Sequence, residues 1–327
     1  MRAVVTGAAG FIGSHLCEHL VSCGDEVIGI DAMTDFYEPS RKRRNLARLL
    51  DRDRFTFRQG DLLDLRLEPL FAAADTVYHL AGQPGVRGSW GAEFAVYLER
   101  NVLVTQRVLE VARDTGLRRL VFASSSSVYG DAEAYPTPET LCPRPVSPYG
   151  VTKLAAEQLC ETYRTVFGVP AASLRLFSVY GPRQRPDMAF SRLVAAACAR
   201  RPFPLYGDGC QSRDFTYVGD VVTAMRGAAL SSWNGVANLG GGCEVTMNQV
   251  IALLGQLAAP VNVVPGPARP GDARRTAADI TVARNAFGYR PGTDIRTGLA
   301  AMVRAEQASR RARPGEHAEE RPVAGRL

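Results

Sequence analysis

The chain opens on the strand-like run RAVVT, which passes through Gly7-Ala8-Ala9-Gly10-Phe11-Ile12-Gly13 straight into a helical pattern. Gly7 permits a tight turn, Gly10 lets the backbone approach a phosphate, and Gly13 lets the helix pack closely on the strand. The N–H groups of the first helical turn, at Phe11 and Ile12, then face that phosphate. In this strand–turn–helix context the run reads as a dinucleotide-binding turn. Its glycines are spaced three and three, where the commoner fingerprint has two and three.

The remainder of the first half repeats the alternation that such a turn belongs to. Short apolar or β-branched runs at 2–6, 26–30, 54–59, 76–80, 118–123 and 171–176 read as buried parallel strands. Amphipathic segments at about 11–22, 40–51, 93–115 and 148–167 are long enough for the crossovers between them. The expected fold is α/β: a doubly wound parallel Rossmann sheet with a smaller mixed C-terminal lobe for substrate. The expected division gives 1–176 to the dinucleotide domain, with 215–240 returning to it. Residues 177–214 and 241–304 go to the lobe, on the strength of Pro- and Gly-containing loops around helices near 190–200 and 218–230. Residues 305–327, polar and poor in large apolar side chains, read as a flexible tail.

Composition excludes several classes. The net charge of +6 comes mostly from arginines spread among carboxylates, and only Arg41, Lys42, Arg43 and Arg44 are dense. That cluster reads as a solvated helix face, so no nucleic-acid partner is expected. No apolar run approaches the length of a membrane span and no leader pattern precedes the first strand, which points to a cytoplasmic protein without a membrane partner. The 7 cysteines lack close paired spacing, and His15 and His19 have no further ligand nearby, so no metal is expected.

Asp31 ends the second strand, 18 residues beyond Gly13, where a carboxylate accepts both adenosine ribose hydroxyls and repels a 2'-phosphate. NAD is therefore favoured over NADP, which also argues against an NADPH-consuming reductase. Asp61, after the third strand, suits either the adenine amino group or a helix N-cap. Further along, FASSSSVYG brings serines to the carboxyl end of the sheet, and Tyr149 and Lys153 stand four apart at the start of a helix. That spacing puts them on one helix face. A lysine ammonium there lowers the phenol pKa and holds the nicotinamide ribose, so the tyrosine can exchange a proton with a substrate hydroxyl.

TGAAGFIG, HLAGQPGVR, Asn101, SSSSVYG and SPYGVTK together resemble the ordered motifs of extended short-chain dehydrogenases that epimerise or dehydrate sugar nucleotides, over residues 1 to about 300. The resemblance implies that Ser125 hydrogen-bonds the reacting hydroxyl, with Ser126 and Ser127 as neighbouring alternatives. It implies that Asn101 supports the active-site backbone and that Asp61, Leu62, Leu80, Ala81 and Gly82 line a tightly held NAD. Dehydratases of this type carry an Asp-Glu pair, and decarboxylases a glutamate, where this chain has Ser126 and Ser127. What remains is oxidation of C4 and its re-reduction on the other face, that is, 4-epimerisation of a UDP-sugar.

By the same resemblance, Arg213 and Arg269 clamp the diphosphate, Asp272 meets a ribose hydroxyl and Tyr206 borders the uracil. Without it, a surface salt bridge is the competing reading for each arginine. DAMTDFYEPSRKRR and RLFSVYGPRQRPDMAFSRL are more similar to UDP-glucuronate 4-epimerases than to UDP-glucose 4-epimerases, which usually have asparagine at the place of Ser178. Arg185, with Arg87, would supply positive charge near a C6 carboxylate. The resemblance also implies a homodimer through the helices near 93–115 and 148–167. A non-catalytic dinucleotide-binding protein on the same fold is the competing class, which the presence of both Tyr149 and Lys153 disfavours.

Overall fold

Strand β1 (Arg2–Thr6) is buried from Ala3 to Thr6, so its alternating side chains need cover on both faces of the sheet. Helices supply it. Helix α1 (Phe11–Ser22) turns Leu16, Cys17 and Leu20 inward on one side, against a core shared with Val5, Val27 and Leu46. On the other side Val4, Ile30 and Phe122 pack with Val108, Leu109 and Ala156. The computed structural model describes residues 1–267 and 274–312.

The sheet has seven parallel strands. Their order is β7 (Gly235–Leu239), β6 (Ala171–Leu176), β5 (Leu120–Ser125), β4 (Thr76–His79), β1, β2 (Glu26–Asp31) and β3 (Phe55–Gln59). The chain runs outward from β1 to β3 and then crosses back to β4. The direction of winding reverses at β1 and β4, and a crevice opens there beyond the carboxyl ends of the strands.

Five sequence expectations need amending. Strand β5 runs to Ser125, not 123, because Ser124 and Ser125 continue the ladder opposite Arg175 and Leu176. The helix expected over 93–115 is interrupted. Phe94–Tyr97 is α-helical, Leu98–Leu103 is a π-helical turn, and α3 (Val104–Asp114) follows. The cluster at 41–44 is not a uniformly solvated face. In α2 (Pro39–Leu50), Arg43 and Arg44 are exposed while Lys42 is buried at 6% exposure, because its ammonium finds Asp31 inside the crevice.

Helix α4 (Pro148–Phe167) starts where sequence reasoning put it, with Ser147 Oγ accepting the Gly150 N–H and Pro148 in the first turn. Residues 177–217 and 241–267 build much of the lobe, whose core includes Phe190, Leu193, Val250, Leu254 and Leu299. The lobe boundary expected at 241–304 is too wide. Ala278, Ile280, Ala283 and Tyr289 join the core of the large sheet, since the helix Thr281–Phe287 packs beside β7. Residues 305–311 are helical rather than part of a flexible tail. The helix Ile295–Arg311 is held by the Glu306–Arg310 pair at 2.8 Å and by Arg310 donating to the Ala195 carbonyl at 3.2 Å. Residues 313–327 lie outside the described residues.

Candidate active site

One cleft follows the crevice from the glycine turn to Tyr149. Gly7 sits at φ +71°, in the left-handed region, and a Cβ there would come within 2.9 Å of the Ala81 nitrogen. A Cβ at Gly13 would lie 2.1 Å from the Gly7 carbonyl oxygen. Only glycine lets α1 start this close to β1, and Gly7, Gly10, Phe11, Ile12 and Gly13 all line the cleft floor.

Asp31 lies at the end of β2 in the same cleft. Its Oδ2 accepts the Ala9 N–H at 3.1 Å and its Oδ1 the Met33 N–H at 2.8 Å, with Lys42 Nζ at 3.4 Å. The carboxylate is thereby fixed against the glycine turn. Lys42 also donates to Thr34 Oγ1 at 3.2 Å and lies over the Tyr37 ring at 5.4 Å. Asp61 and Leu62 line the wall beyond. Asp61 Oδ1 accepts the Leu63 N–H at 2.9 Å, which makes it a turn-forming residue rather than a helix cap.

His79, the last residue of β4, is the centre of a hydrogen-bond chain. Burial, reinforced by the Lys153 charge, drives its pKa down to about 3, so the ring is neutral. Thr105 Oγ1 gives its proton to the Asn101 carbonyl at 2.6 Å and must therefore accept from His79 Nε2 at 3.1 Å. Nδ1 is left as the acceptor for Thr6 Oγ1 at 2.9 Å. Thr6 Oγ1 in turn accepts the Leu80 and Ala81 N–H groups, each at 3.1 Å. The strand ends that carry Leu80, Ala81 and Gly82 are thus tied to the turn that carries Asn101.

Asn101 completes the tie. Its Oδ1 accepts the Gln83 N–H at 2.7 Å, while Nδ2 donates to the Gln83 carbonyl at 3.1 Å and to Thr152 Oγ1 at 3.0 Å. Thr152 lies on α4 between Tyr149 and Lys153, and its hydroxyl donates to the Tyr149 carbonyl at 2.9 Å.

Tyr149 and Lys153 both line the cleft. The Ser125 side chain lies near enough to the Tyr149 hydroxyl to act on it, and the tyrosine ring meets Tyr97 edge-on at 6.3 Å. Burial raises the phenol pKa, while the Ser125 hydroxyl and the Arg185 charge draw it back. The Lys153 ammonium lies over the Phe122 ring at 4.5 Å, and burial lowers its pKa to about 8 against the opposing pull of Cys160 and Glu157. Among the three serines, Ser125 is the one that acts on the Tyr149 phenol, and its Oγ accepts the Ser127 N–H at 3.1 Å. Ser126 and Ser127 are half-buried in the turn that follows.

Beneath this turn lies an ion pair that sequence reasoning missed. Glu157, one turn after Lys153, and Arg175 on β6 are both almost fully buried. Arg175 Nη2 donates to Glu157 Oε1 at 2.6 Å and Nε lies 3.1 Å from Oε2, which also accepts the Ser124 hydroxyl at 2.6 Å. Arg175 Nη1 donates to the Tyr129 hydroxyl at 2.7 Å. Both ends of the Ser124–Tyr129 segment are therefore anchored to the charged pair.

The lobe side is more open. Arg185 lines the cleft, contacts the Phe36 ring at 5.9 Å and pairs in a fork with Asp187, both contacts at 3.0 Å. Arg87, exposed on the loop after β4, lies over the Tyr206 ring at 5.7 Å, so these two residues meet across the mouth. Ser178 is half-buried outside the cleft wall, and its carbonyl accepts the Thr216 N–H at 3.2 Å. Arg213 stands on the short strand Ser212–Asp214, with Nη1 donating to the Ser212 carbonyl at 2.9 Å. Arg269 and Asp272 lie outside the described residues. No group of acidic, histidine and cysteine side chains among the described residues is arranged to hold a metal ion.

Residues 3–240 match the model of the NAD dependent epimerase/dehydratase family. A Bacillus subtilis protein described as an uncharacterized UDP-glucose epimerase is 43% identical over 91% of this chain and 96% of its own length. A UDP-glucuronate 4-epimerase from Thermodesulfobacterium geofontis is 34% identical over 92% of this chain and 94% of its own. Among solved structures, the UDP-glucuronic acid 4-epimerase of Bacillus cereus, in complex with UDP-glucuronic acid and NAD, superimposes with a TM-score of 0.91 at 39% identity, covering 94% of this chain and 100% of that one.

Proposed function

Because the chain belongs to the NAD dependent epimerase/dehydratase family, we propose that it is an NAD-dependent UDP-sugar 4-epimerase that interconverts UDP-glucuronate and UDP-galacturonate. The observation that carries this reading is the meeting of Tyr149, Lys153 and Arg185 in the cleft that begins at the glycine turn, with Ser125 acting on the Tyr149 phenol from the end of β5. The cleft fits a dinucleotide. The close approach at Gly13 leaves helix N–H groups open to a pyrophosphate, and Asp31 is held rigidly where the adenosine ribose would lie.

NAD, when bound, supplies a reversible hydride acceptor beside C4 of the sugar. Tyr149, as the phenolate, takes the proton of the C4 hydroxyl, and the Ser125 hydroxyl beside the phenol steadies the oxygen. Lys153 would hold the nicotinamide ribose and keep a positive charge beside the site. After the 4-keto sugar has turned over, hydride returns to the opposite face of C4 and Tyr149 gives its proton back to the C4 oxygen, so one residue serves as base and acid in a single turnover. Asn101, through Gln83 and Thr152, fixes the helix that carries the pair.

Arg185 is assigned to the sugar carboxylate. Its partner Asp187 is 44% exposed, and a half-solvated ion pair is given up at little cost for a carboxylate in the cleft. Arg87, Tyr206 and Arg213 are assigned to the nucleotide diphosphate side, and Ser178 and Ser126 to the sugar. The test is incubation of the purified protein with UDP-glucuronate or UDP-glucose, followed by NMR of the C4 configuration. The reading predicts UDP-galacturonate from the first. If only UDP-glucose turns over, the assignment of Arg185 fails and the alternative, a UDP-glucose 4-epimerase, stands.

A homodimer is part of the proposal. Leu98, Leu103, Val151, Val166 and Phe167 are exposed on two neighbouring helical segments, an apolar face suited to a second copy. Sedimentation at micromolar concentration tests it. All seven cysteines are free, which supports a reducing, cytoplasmic compartment. No helix among the described residues is long and apolar enough to cross a membrane.

A further inference from the structure

The π-helical turn Leu98–Leu103 brings two consecutive residues, Arg100 and Asn101, to the wall of the cleft, beside Val104 one turn on. In a regular helix neighbours point about 100° apart. The widened turn lets both reach the same space, a use of π-turns that recurs at ligand sites. Asn101 is fully engaged with Gln83 and Thr152. Arg100 is not. Its Nε is buried and has no hydrogen-bond partner among the described residues.

A guanidinium keeps its charge at every pH a protein experiences and always presents donors. Such a donor, buried without an acceptor, calls for a partner that is not part of the chain. The cleft carboxylates are already committed: Asp31 to Ala9, Met33 and Lys42, and Asp61 to Leu63. NAD brings one anionic group into this cleft, its pyrophosphate, and arginine forks match phosphate oxygens.

We propose that Arg100 is a ligand of the dinucleotide pyrophosphate, adding a fixed charge to the N–H groups of the glycine turn and slowing the escape of NAD. This rests on the reading that the cleft holds NAD. It gives a chain-specific reason for the cofactor to stay bound through many turnovers.

The experiment is exchange of bound NAD in the purified holoenzyme against excess isotopically labelled NAD, read by mass spectrometry of the nucleotide released on denaturation. Arg100→Gln is expected to exchange about 10- to 100-fold faster than wild type. Wild-type exchange accelerates with salt, while that of Arg100→Gln changes little. Arg100→Lys, which keeps a point charge without the fork, falls between the two. Wild-type exchange rates in Arg100→Gln overturn the proposal, as does an Arg100→Lys rate no slower than that of Arg100→Gln, since charge is then not what acts. A wild-type protein that carries no NAD and takes none up overturns the underlying reading itself, an outcome distinct from either.

Discussion

The two sides of the cleft are built differently. On the dinucleotide side the buried polar groups are, Arg100 Nε apart, committed to the protein: Asp31 to Ala9 and Met33, His79 to Thr6 and Thr105, Asn101 to Gln83 and Thr152, Glu157 to Arg175 and Ser124. On the lobe side the cations are partly or largely exposed and paired with acids close by. Arg185 has Asp187, Arg274 has Asp208 and Arg275 has Glu244. Pairs of the second kind contribute only about 0–1 kcal/mol, whereas breaking one partner of a buried pair costs about 3–5 kcal/mol. One side is therefore a fixed mould for a group that stays. The other can exchange its partners around a sugar that has to arrive, turn over and leave.

Substitutions should separate the two sides. The largest expected effect is that of Tyr149→Phe, which removes the proton-transfer group and should lower kcat by about 10²- to 10⁴-fold while the purified protein keeps its NAD. Loss of NAD together with activity would mean that the tyrosine belongs to the mould as well as to the chemistry. Next is Gly13→Ala. Its methyl group would have to displace the Gly7 carbonyl from 2.1 Å, an overpacking that costs about 1–3 kcal/mol and opens the turn. Melting temperature and NAD content should fall together, with kcat per bound NAD nearly unchanged.

The pH dependence gives a third contrast. Lys153 is held at about 8, below its ordinary 10.5, because burial disfavours the ammonium. Between those values the unfolded chain binds more protons than the native one at this site, so the lysine's contribution to stability rises with pH across the window. Turnover that needs the ammonium falls as pH passes about 8. Thermal melts and initial rates from pH 7 to 10 should therefore move in opposite directions, and a parallel decline would break the assignment. On the lobe side effects should be smaller and specific to substrate. Arg185→Gln should raise KM for UDP-glucuronate about tenfold and leave UDP-glucose almost untouched. Asp187→Asn, which frees Arg185 from its exposed partner, should lower the same KM by only about two- to threefold.

The difference between the sides also explains what the sequence could reveal. The glycine turn, Asp31, Tyr149 and Lys153 are legible because each depends on spacing within one or two elements, and the strand–turn–helix context makes the spacing meaningful. The Glu157–Arg175 pair, 18 residues apart on a helix and the next strand, carries no local signal; it exists because β6 lies beside β5. Lys42 looked like one member of a basic run. Only the angle of α2 over the crevice singles it out, one position from the exposed Arg43. The π-helical turn is similarly hidden, since the amphipathic pattern of 93–115 reads as one continuous helix. A cue was available at His79, a histidine between apolar strand residues, but its role depends on Thr6 and Thr105, which the sheet brings to either side.

At the centre of this account is a C4 oxidation that the same NAD molecule reverses without leaving its mould. Incubation of the holoenzyme with UDP-glucuronate deuterated at C4, with no added nucleotide, tests it most directly. Mass spectrometry and NMR of the UDP-galacturonate formed should find the deuterium retained at C4 over many turnovers. Product that has lost the label to solvent, or conversion that stops at one equivalent with reduced nucleotide accumulating, would contradict it.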